Sequence, residues 1–436
     1  MKGEWEQPKA QSLSPAKDRN SQFVIWSLLL VLSLRGVFAF MARINLTSVM
    51  AYPIFVQNFH LTNLDRGLLN SVFFWSMAAF QIPMGLVVDR FGVKYPYAIC
   101  LVIWSVACVA CGVSMSVFQL AMALLLAGFG EAIVVPANFR WMRNSFEERQ
   151  MGLAVAVYLA GTKLGPAIGA PVAAWFIVNF DSWQVLYFLL AVGGLLFILP
   201  PWLFYCTPDG SAQKSAMEKK ENVGRVPLSR IFMNPVVLGT IVVDWAYAYF
   251  LYYCMTWTPI YLVENWKLTL TEMGYVQFFS FIGITAVALP SGWIADALIK
   301  RGRDPVAVRK GFVMAGFFVA LTEVFGFMTA SRDLAIFCAL FSLSGLGLAS
   351  ANYLALCRMT LIPKECVGLI ASVQNIFASL AGVAGAILTG WLLQETGSYS
   401  GPMILIAVFL ISGIAACFFL LRKKWALSIE VSNQTS

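Results

Sequence analysis

Charged residues are scarce in this chain: Asp, Glu, Lys and Arg make up 12% of its 436 residues, against about a quarter in an ordinary soluble domain. With 59% of the residues hydrophobic, a water-soluble globule is excluded, because no core of that size could hide them all. Histidine occurs once, at His60, which excludes a histidine triad, relay or cluster. The nine cysteines (Cys100, Cys108, Cys111, Cys206, Cys254, Cys338, Cys357, Cys366, Cys417) are scattered through apolar stretches without metal-ligand spacing. They read as small core residues, and neither a metal nor a cofactor is expected. The phosphate-binding pattern Gly-x-x-x-x-Gly-Lys-Ser/Thr is absent, which removes ATP as a direct energy source. No catalytic constellation argues for an enzyme. Met1 to Ser21 is polar and mixed in charge, with no short apolar stretch ending in a cleavage site, so the first apolar run is expected to stay in the membrane.

What the chain has in abundance is long apolar runs. They recur from Phe23 to Leu421 at the roughly 20-residue length that crosses a hydrocarbon core as a helix. The expected spans are 23–48, 66–88, 95–114, 117–141, 150–178, 183–204, 236–262, 273–297, 309–330, 334–357, 366–394 and 402–421. A transmembrane β-barrel would show short alternating segments instead. The expectation is an all-α membrane protein of twelve transmembrane helices.

The net charge of +8 sits mainly in the loops, so the lipid bilayer, and not nucleic acid, is the partner it implies. With the amino terminus inside, 24 of the 30 Lys and Arg fall on the cytoplasmic side. Three (Arg66, Lys267, Arg332) fall on the other side, and Arg35, Arg43 and Lys163 lie within spans. That asymmetry predicts cytoplasmic termini. The longest connection, Cys206 to Asn234, holds Asp209-Gly210-Ser211 and a Lys/Glu-rich stretch. It divides the chain into a tail (1–22), a six-helix bundle (23–204), a cytoplasmic loop (205–235), a second six-helix bundle (236–421) and a final tail (422–436).

Gly85-Leu-Val-Val-Asp89-Arg90-Phe-Gly92-Val-Lys94 follows the second span, and Gly292-Trp-Ile-Ala-Asp296 with Lys300-Arg301-Gly302 follows the eighth. An aspartate four residues after a glycine at equivalent points of two halves is the trace of an internal duplication. A glycine there permits close helix approach, and a carboxylate at a helix end can accept hydrogen bonds from basic residues and a neighbouring helix amino terminus.

Those residues resemble the signature loop of the major facilitator superfamily. The resemblance implies two pseudo-symmetric six-helix bundles that alternate in access, with Gly85, Asp89, Arg90, Gly92, Lys94 and Asp296 as gating elements. Within the superfamily the chain is similar to the anion:cation symporter family, which includes permeases for glucarate, galactonate and hexuronates. Arg43-Ile-Asn45-Leu46, Gln81-Ile-Pro83-Met-Gly85, Gly130-Glu131, Pro136-Ala-Asn138-Phe-Arg140, Trp257-Thr-Pro259-Ile-Tyr261-Leu262 and Asn375 carry the likeness. It implies a proton symporter of small organic anions, sugar acids above all, working as a monomer in the bacterial inner membrane. This chain has Ala42 where relatives commonly have an aspartate, Leu124 where they have an arginine and Met77 where they have a tyrosine. These departures keep other readings open: an organophosphate or organic-anion exchanger or uniporter, or a transporter-like sensor without flux.

Six ionisable residues fall well inside the spans: Arg35, Arg43, Glu131, Lys163, Asp244 and Glu323. Each costs about 2.5–3.5 kcal/mol at a helix centre unless water or a partner relieves it. By resemblance Arg43 meets the substrate carboxylate, which a guanidinium can grip bidentately, and Glu131 takes the coupling proton. Counted from the cytoplasmic ends, Arg35 and Glu131 lie roughly 18 and 15 Å deep at about 1.5 Å per residue, so they are expected to pair. Lys163 is expected either to hold the substrate or to bridge to Asp244, itself a proton-coupling candidate. Asn375, Gln374 and Asn352 are the uncharged polar candidates from the second half. Tyr249 and Tyr253 in the aromatic seventh span can bind substrate hydroxyls or simply pack. Glu323 is expected to be structural, capped by a neighbouring helix.

Overall fold

A computed structural model describes residues 15–146, 148–206, 234–357, 361, 367–422 and 425. The expected inter-bundle loop lies outside these residues except at its ends. Among these described residues twelve helices are long and apolar enough to cross a membrane. They are α1 (Gln22–Met50), α2 (Asn63–Phe91), α3 (Lys94–Val113), α4 (Val117–Ser145), α5 (Leu153–Phe180) and α6 (Gln184–Tyr205), followed by α7 (Pro235–Glu264), α8 (Leu270–Lys300), α9 (Pro305–Met328), α10 (Arg332–Ala355), α11 (Val373–Thr396) and α12 (Ser400–Phe419). No strand occurs among the described residues. Six of them, α1, α2, α4, α7, α8 and α9, are longer than the expected spans by two to six residues, because polar caps lengthen a helix past its apolar run. The face on which α1 begins and α12 ends is called here the terminal face, and its opposite the far face.

Outward-facing apolar side chains suit a lipid solvent: Trp293, Leu289 and Phe318 are each more than two-thirds exposed, which water would penalise and acyl chains do not. Inside each half, α1 packs along α5, α2 and α3 along α4, α8 and α9 along α10, and α7 along α11 and α12. Between the halves, α2 packs along α11 and α5 along α8. Exchanging each helix for its counterpart six positions on turns one contact into the other, which is the pseudo-two-fold arrangement of two six-helix bundles.

The duplication reaches the local chemistry. Thr62 accepts from the Asp65 amide while Asp65 accepts from the Thr62 amide at 2.9 Å, and Thr269 and Glu272 form the same reciprocal cap on α8. Each such box satisfies two orphan amides at a helix start. Thr62, Pro83, Gly85 and Asp89 recur at one constant offset as Thr269, Pro290, Gly292 and Asp296.

The far face is closed. A Cβ on Gly67 of α2 would sit 2.6 Å from the Ala386 carbonyl oxygen of α11, and one on Gly390 would sit 2.6 Å from the Asn63 carbonyl oxygen. Only glycine lets these two backbones meet. Gly274 of α8 meets Pro171 of α5 in the same way, and Arg66 Nη1 donates to Glu264 Oε1 across the halves at 2.5 Å. On the terminal side, by contrast, nothing lies within 4 Å of a Cβ built on Gly85. The close helix approach expected at that glycine is absent here, because α2 meets α11 through its far half.

Candidate functional site

Arg43 Nη2 donates to Glu131 Oε1 at 2.6 Å, with the two side chains 11% and 5% exposed. This corrects the expected pairing of Glu131 with Arg35. Helical side chains tilt toward the helix amino terminus. α1 rises toward the far face and α4 descends from it, so Arg43 leans down and Glu131 leans up until they meet. Counting rise alone omits that tilt, and Arg35 leans away. Rings of Phe40 and Phe73 flank the Arg43 guanidinium at 4.4 and 4.6 Å. Among the described residues Arg43 Nε and Glu131 Oε2 make no hydrogen bond, which leaves donor and acceptor capacity beside the pair.

The pair lines a cavity together with Ala42, Leu124, Asn70, Trp104, Tyr187 and, from the other half, Met255 and Thr256 of α7. Arg43 Nη2 also lies 3.5 Å from Met77 Sδ. The three departures from the symporter pattern therefore surround this one ion pair. By the resemblance an acid and a base are missing together, and Arg43 and Glu131 are the charged side chains that line this cavity among the described residues.

Arg35 is 1% exposed and stacks on the Trp104 ring, 4.1 Å from its centroid. Among the described residues its Nη1 and Nη2 have no hydrogen-bond partner. The quadrupole of the indole face, strengthened by exclusion of water, is what holds this cation.

Lys163 of α5 reaches across to α7, where its Nζ is 3.5 Å from the Tyr247 hydroxyl. That hydroxyl donates to Ser350 Oγ of α10 at 3.2 Å, and the Tyr247 ring stacks on Tyr353 at 4.2 Å. The alternative bridge from Lys163 to Asp244 does not form; Asp244 is buried within α7. Tyr249 and Tyr253 are four residues apart and share a stripe turned into the second bundle. Tyr249 packs on Phe409 of α12 at 4.5 Å, and both are fully buried, so neither faces the space between bundles. Tyr247 and Tyr252 do: the Tyr252 ring meets Phe74 of α2 at 4.6 Å. The helical period separates these two stripes, and choosing between them requires knowing which face of α7 meets the first half.

Asn352 donates to the Leu348 carbonyl one turn earlier at 3.1 Å, and Gln374 Nε2 to the Cys357 carbonyl at 3.4 Å. Both are committed to backbone. Asn375 is half-buried and its side chain makes no hydrogen bond among the described residues, so of the three it alone retains its full amide.

The family profile described as Major Facilitator Superfamily matches residues 32–386. The chain belongs to that superfamily. Among curated relatives of this major facilitator protein, the Bacillus subtilis hexuronate transporter is 28% identical over 88% of this chain and 92% of its own. The Escherichia coli D-galactonate transporter is 26% identical over 89% and 93%. Among solved structures, a bacterial homologue of the human lysosomal transporter Spinster, in an inward-facing and occupied conformation, superposes with a TM-score of 0.74 at 17% identity. That match covers 96% of this chain and all of the other.

In this superfamily member the signature aspartates bind within their own halves. Asp89 accepts from Arg140 Nη1 of α4 at 2.6 Å, and Asp296 from Arg309 Nη2 of α9 at 3.2 Å. Gly92 caps α2 at φ +78°, a backbone conformation that disfavours a side chain. Arg90 lies 5.4 Å from the Phe91 ring and Lys94 5.9 Å from the Tyr95 ring. Sequence reasoning missed Arg140 as the partner of Asp89 and Arg66–Glu264 as a bond between halves. Arg140 carries its own signal, a guanidinium at the terminal end of α4. Arg66 carries none, because its partner is remote in sequence.

Proposed function

We propose that this protein is a secondary carrier of small organic anions of the sugar-acid class, driven by proton symport through alternating access, with Arg43 as substrate cation and Glu131 as proton carrier. The single observation that carries the reading is the buried Arg43–Glu131 ion pair at 2.6 Å facing the cavity under α7. A substrate carboxylate offers Arg43 the same two-oxygen partner that Glu131 offers. When the substrate takes the guanidinium, Glu131 loses its counter-charge and binds a proton instead. Binding of anion and proton are thereby linked at one atom pair. Lys163, held by Tyr247, and Asn375 supply a second cation and an amide for the rest of the substrate. The names of the hexuronate and galactonate transporters support the substrate class.

The excess of Lys and Arg on the terminal face supports a cytoplasmic assignment for it and location in the bacterial inner membrane. The conformation described is then closed outward. Asp89–Arg140 and Asp296–Arg309 hold the signature loops within each half in this state, free to be exchanged for contacts between halves when the cytoplasmic side closes.

Uptake of labelled hexuronate, galactonate and galactarate into proteoliposomes tests the reading, with and without an inward proton gradient, in wild type and Glu131→Gln. Gradient-driven accumulation of one acid, lost in the variant, supports it. Saturable exchange indifferent to the gradient replaces symport with exchange, and binding without flux replaces it with a sensor.

A further inference from the structure

Glu323 lies five residues from the far end of α9, 4% exposed, and no ion pair among the described residues involves it. Ser342 Oγ of α10 lies 2.5 Å from Glu323 Oε2, and Thr258 Oγ1 of α7 lies 3.4 Å from Oε1. The same Ser342 hydroxyl lies 3.1 Å from the Ala339 carbonyl oxygen. A serine has one proton to donate, so it cannot serve both the carboxylate and the carbonyl. If Glu323 is protonated, every hydrogen has a place: Glu323 Oε2–H donates to Ser342 Oγ, Ser342 donates to the Ala339 carbonyl, and Thr258 donates to Glu323 Oε1. If it is ionised, a buried carboxylate has two hydroxyl donors, no cation, and a serine taken from its backbone acceptor.

The surroundings agree. The titratable groups facing Glu323 are Tyr253, Cys254 and Tyr261 of α7 and Cys338 of α10, all neutral when protonated. Among the described residues no lysine, arginine or histidine faces it. Both helices that meet here are interrupted at the contact: α7 breaks at Trp257, immediately before Thr258, and α9 at Leu321, two residues before Glu323. The short segment Thr258–Glu264 beyond the α7 break ends in Glu264, the residue that bonds Arg66 of the other half.

We infer that Glu323 is a second proton-binding site of the carrier, separate from Glu131, and that its protonated form fastens the outer segment of α7 in the closed position. As a neutral acid the carboxyl joins α9, α10 and that segment without placing an unpaired charge in the core. Loss of the proton puts an unpaired charge in the core, which the structure relieves by letting Thr258–Glu264 swing out toward water. The inference rests on the proposed carrier function and its orientation, and is tested apart from Glu131.

Infrared difference spectroscopy on the purified protein reads the proton directly. The carbonyl band of a protonated carboxylic acid is expected in wild type and in Glu131→Gln, and is lost in Glu323→Gln. Thr258→Val, which removes one hydrogen bond to the carbonyl, shifts the band upward. The gate is read by the distance between spin labels at Gln57→Cys and Glu395→Cys, both at the far face. In a Glu131→Gln background acidification is expected to raise the closed fraction several-fold, and adding Glu323→Gln holds the gate closed at every pH. A band that survives Glu323→Gln, or the same pH response with and without Glu323, overturns the inference while leaving the role of Glu131 intact.

Discussion

Arg66 and Glu264, nearly two hundred residues apart in sequence, hold the two halves together at 2.5 Å on the far face, the arginine buried and the glutamate 40% exposed. A pair so open to solvent contributes about 1 kcal/mol, or about a fivefold bias toward closure. Glu264→Gln is expected to raise labelling of an Ala386→Cys thiol by a small reagent applied from the far side by about that factor. Swapping the charges in Arg66→Glu with Glu264→Arg should return labelling toward wild type.

Closure depends more strongly on the glycines. Gly67→Ala puts a methyl group 2.6 Å from the Ala386 carbonyl oxygen, closer than van der Waals contact allows. Backbone cannot yield as a side-chain tip does, so overpacking costs about 1–3 kcal/mol. The same thiol should react about tenfold faster in Gly67→Ala, with the protein still folded.

At the central pair, removing one buried partner leaves an unpaired charge and costs about 3–5 kcal/mol, whereas removing both together costs far less. Glu131→Gln is therefore expected to lower the melting temperature more than Glu131→Gln combined with Arg43→Met. The double variant regains stability and remains inactive in uptake. Equal melting of the two would mean that the ion pair does not hold the cavity.

The stripped cavity predicts a coupled rescue. Leu124→Arg adds a second cation beside Arg43 and should abolish transport and lower stability. Ala42→Asp added to it restores the charge balance and is expected to recover expression and flux, although each single change impairs both. Additive losses in the double variant would show that positions 42 and 124 do not interact.

Lys163 and Tyr247 separate binding from coupling. Lys163→Gln should raise the half-saturation concentration about tenfold and leave the proton dependence of uptake in place. Tyr247→Phe, which removes the hydroxyl between Lys163 and Ser350, should reproduce part of that loss. Unchanged affinity in Lys163→Gln excludes the lysine from the substrate site.

Twelve spans and the duplication were legible because both are periodic: apolar runs of membrane length, and Gly85–Asp89 repeated as Gly292–Asp296. Arg43 and Glu131 stood out as charges in apolar runs, yet their partnership did not. It depends on opposite side-chain tilt in antiparallel helices, which a count of rise from the membrane surface ignores. Tyr249 and Tyr253 were preferred over Tyr247 and Tyr252 because one aromatic helix presents two stripes, and nothing local tells which meets the other half. Arg66–Glu264 and the contact of Glu323 with Thr258 and Ser342 join distant segments of chain, so no spacing rule announces them.

Arg43 and Glu131 sum to zero charge. Moving one elementary charge through the membrane potential is worth about 2.3 kcal/mol per 100 mV, so an unloaded carrier whose pair is intact is not held back by voltage at that pair. Exchange of Glu131 for a monoanion, with a proton added, keeps the sum at zero, so the potential neither drives nor opposes that step. A dianion on the same cation leaves one negative charge over, and the voltage dependence of uptake then reports how many carboxylates the substrate carries.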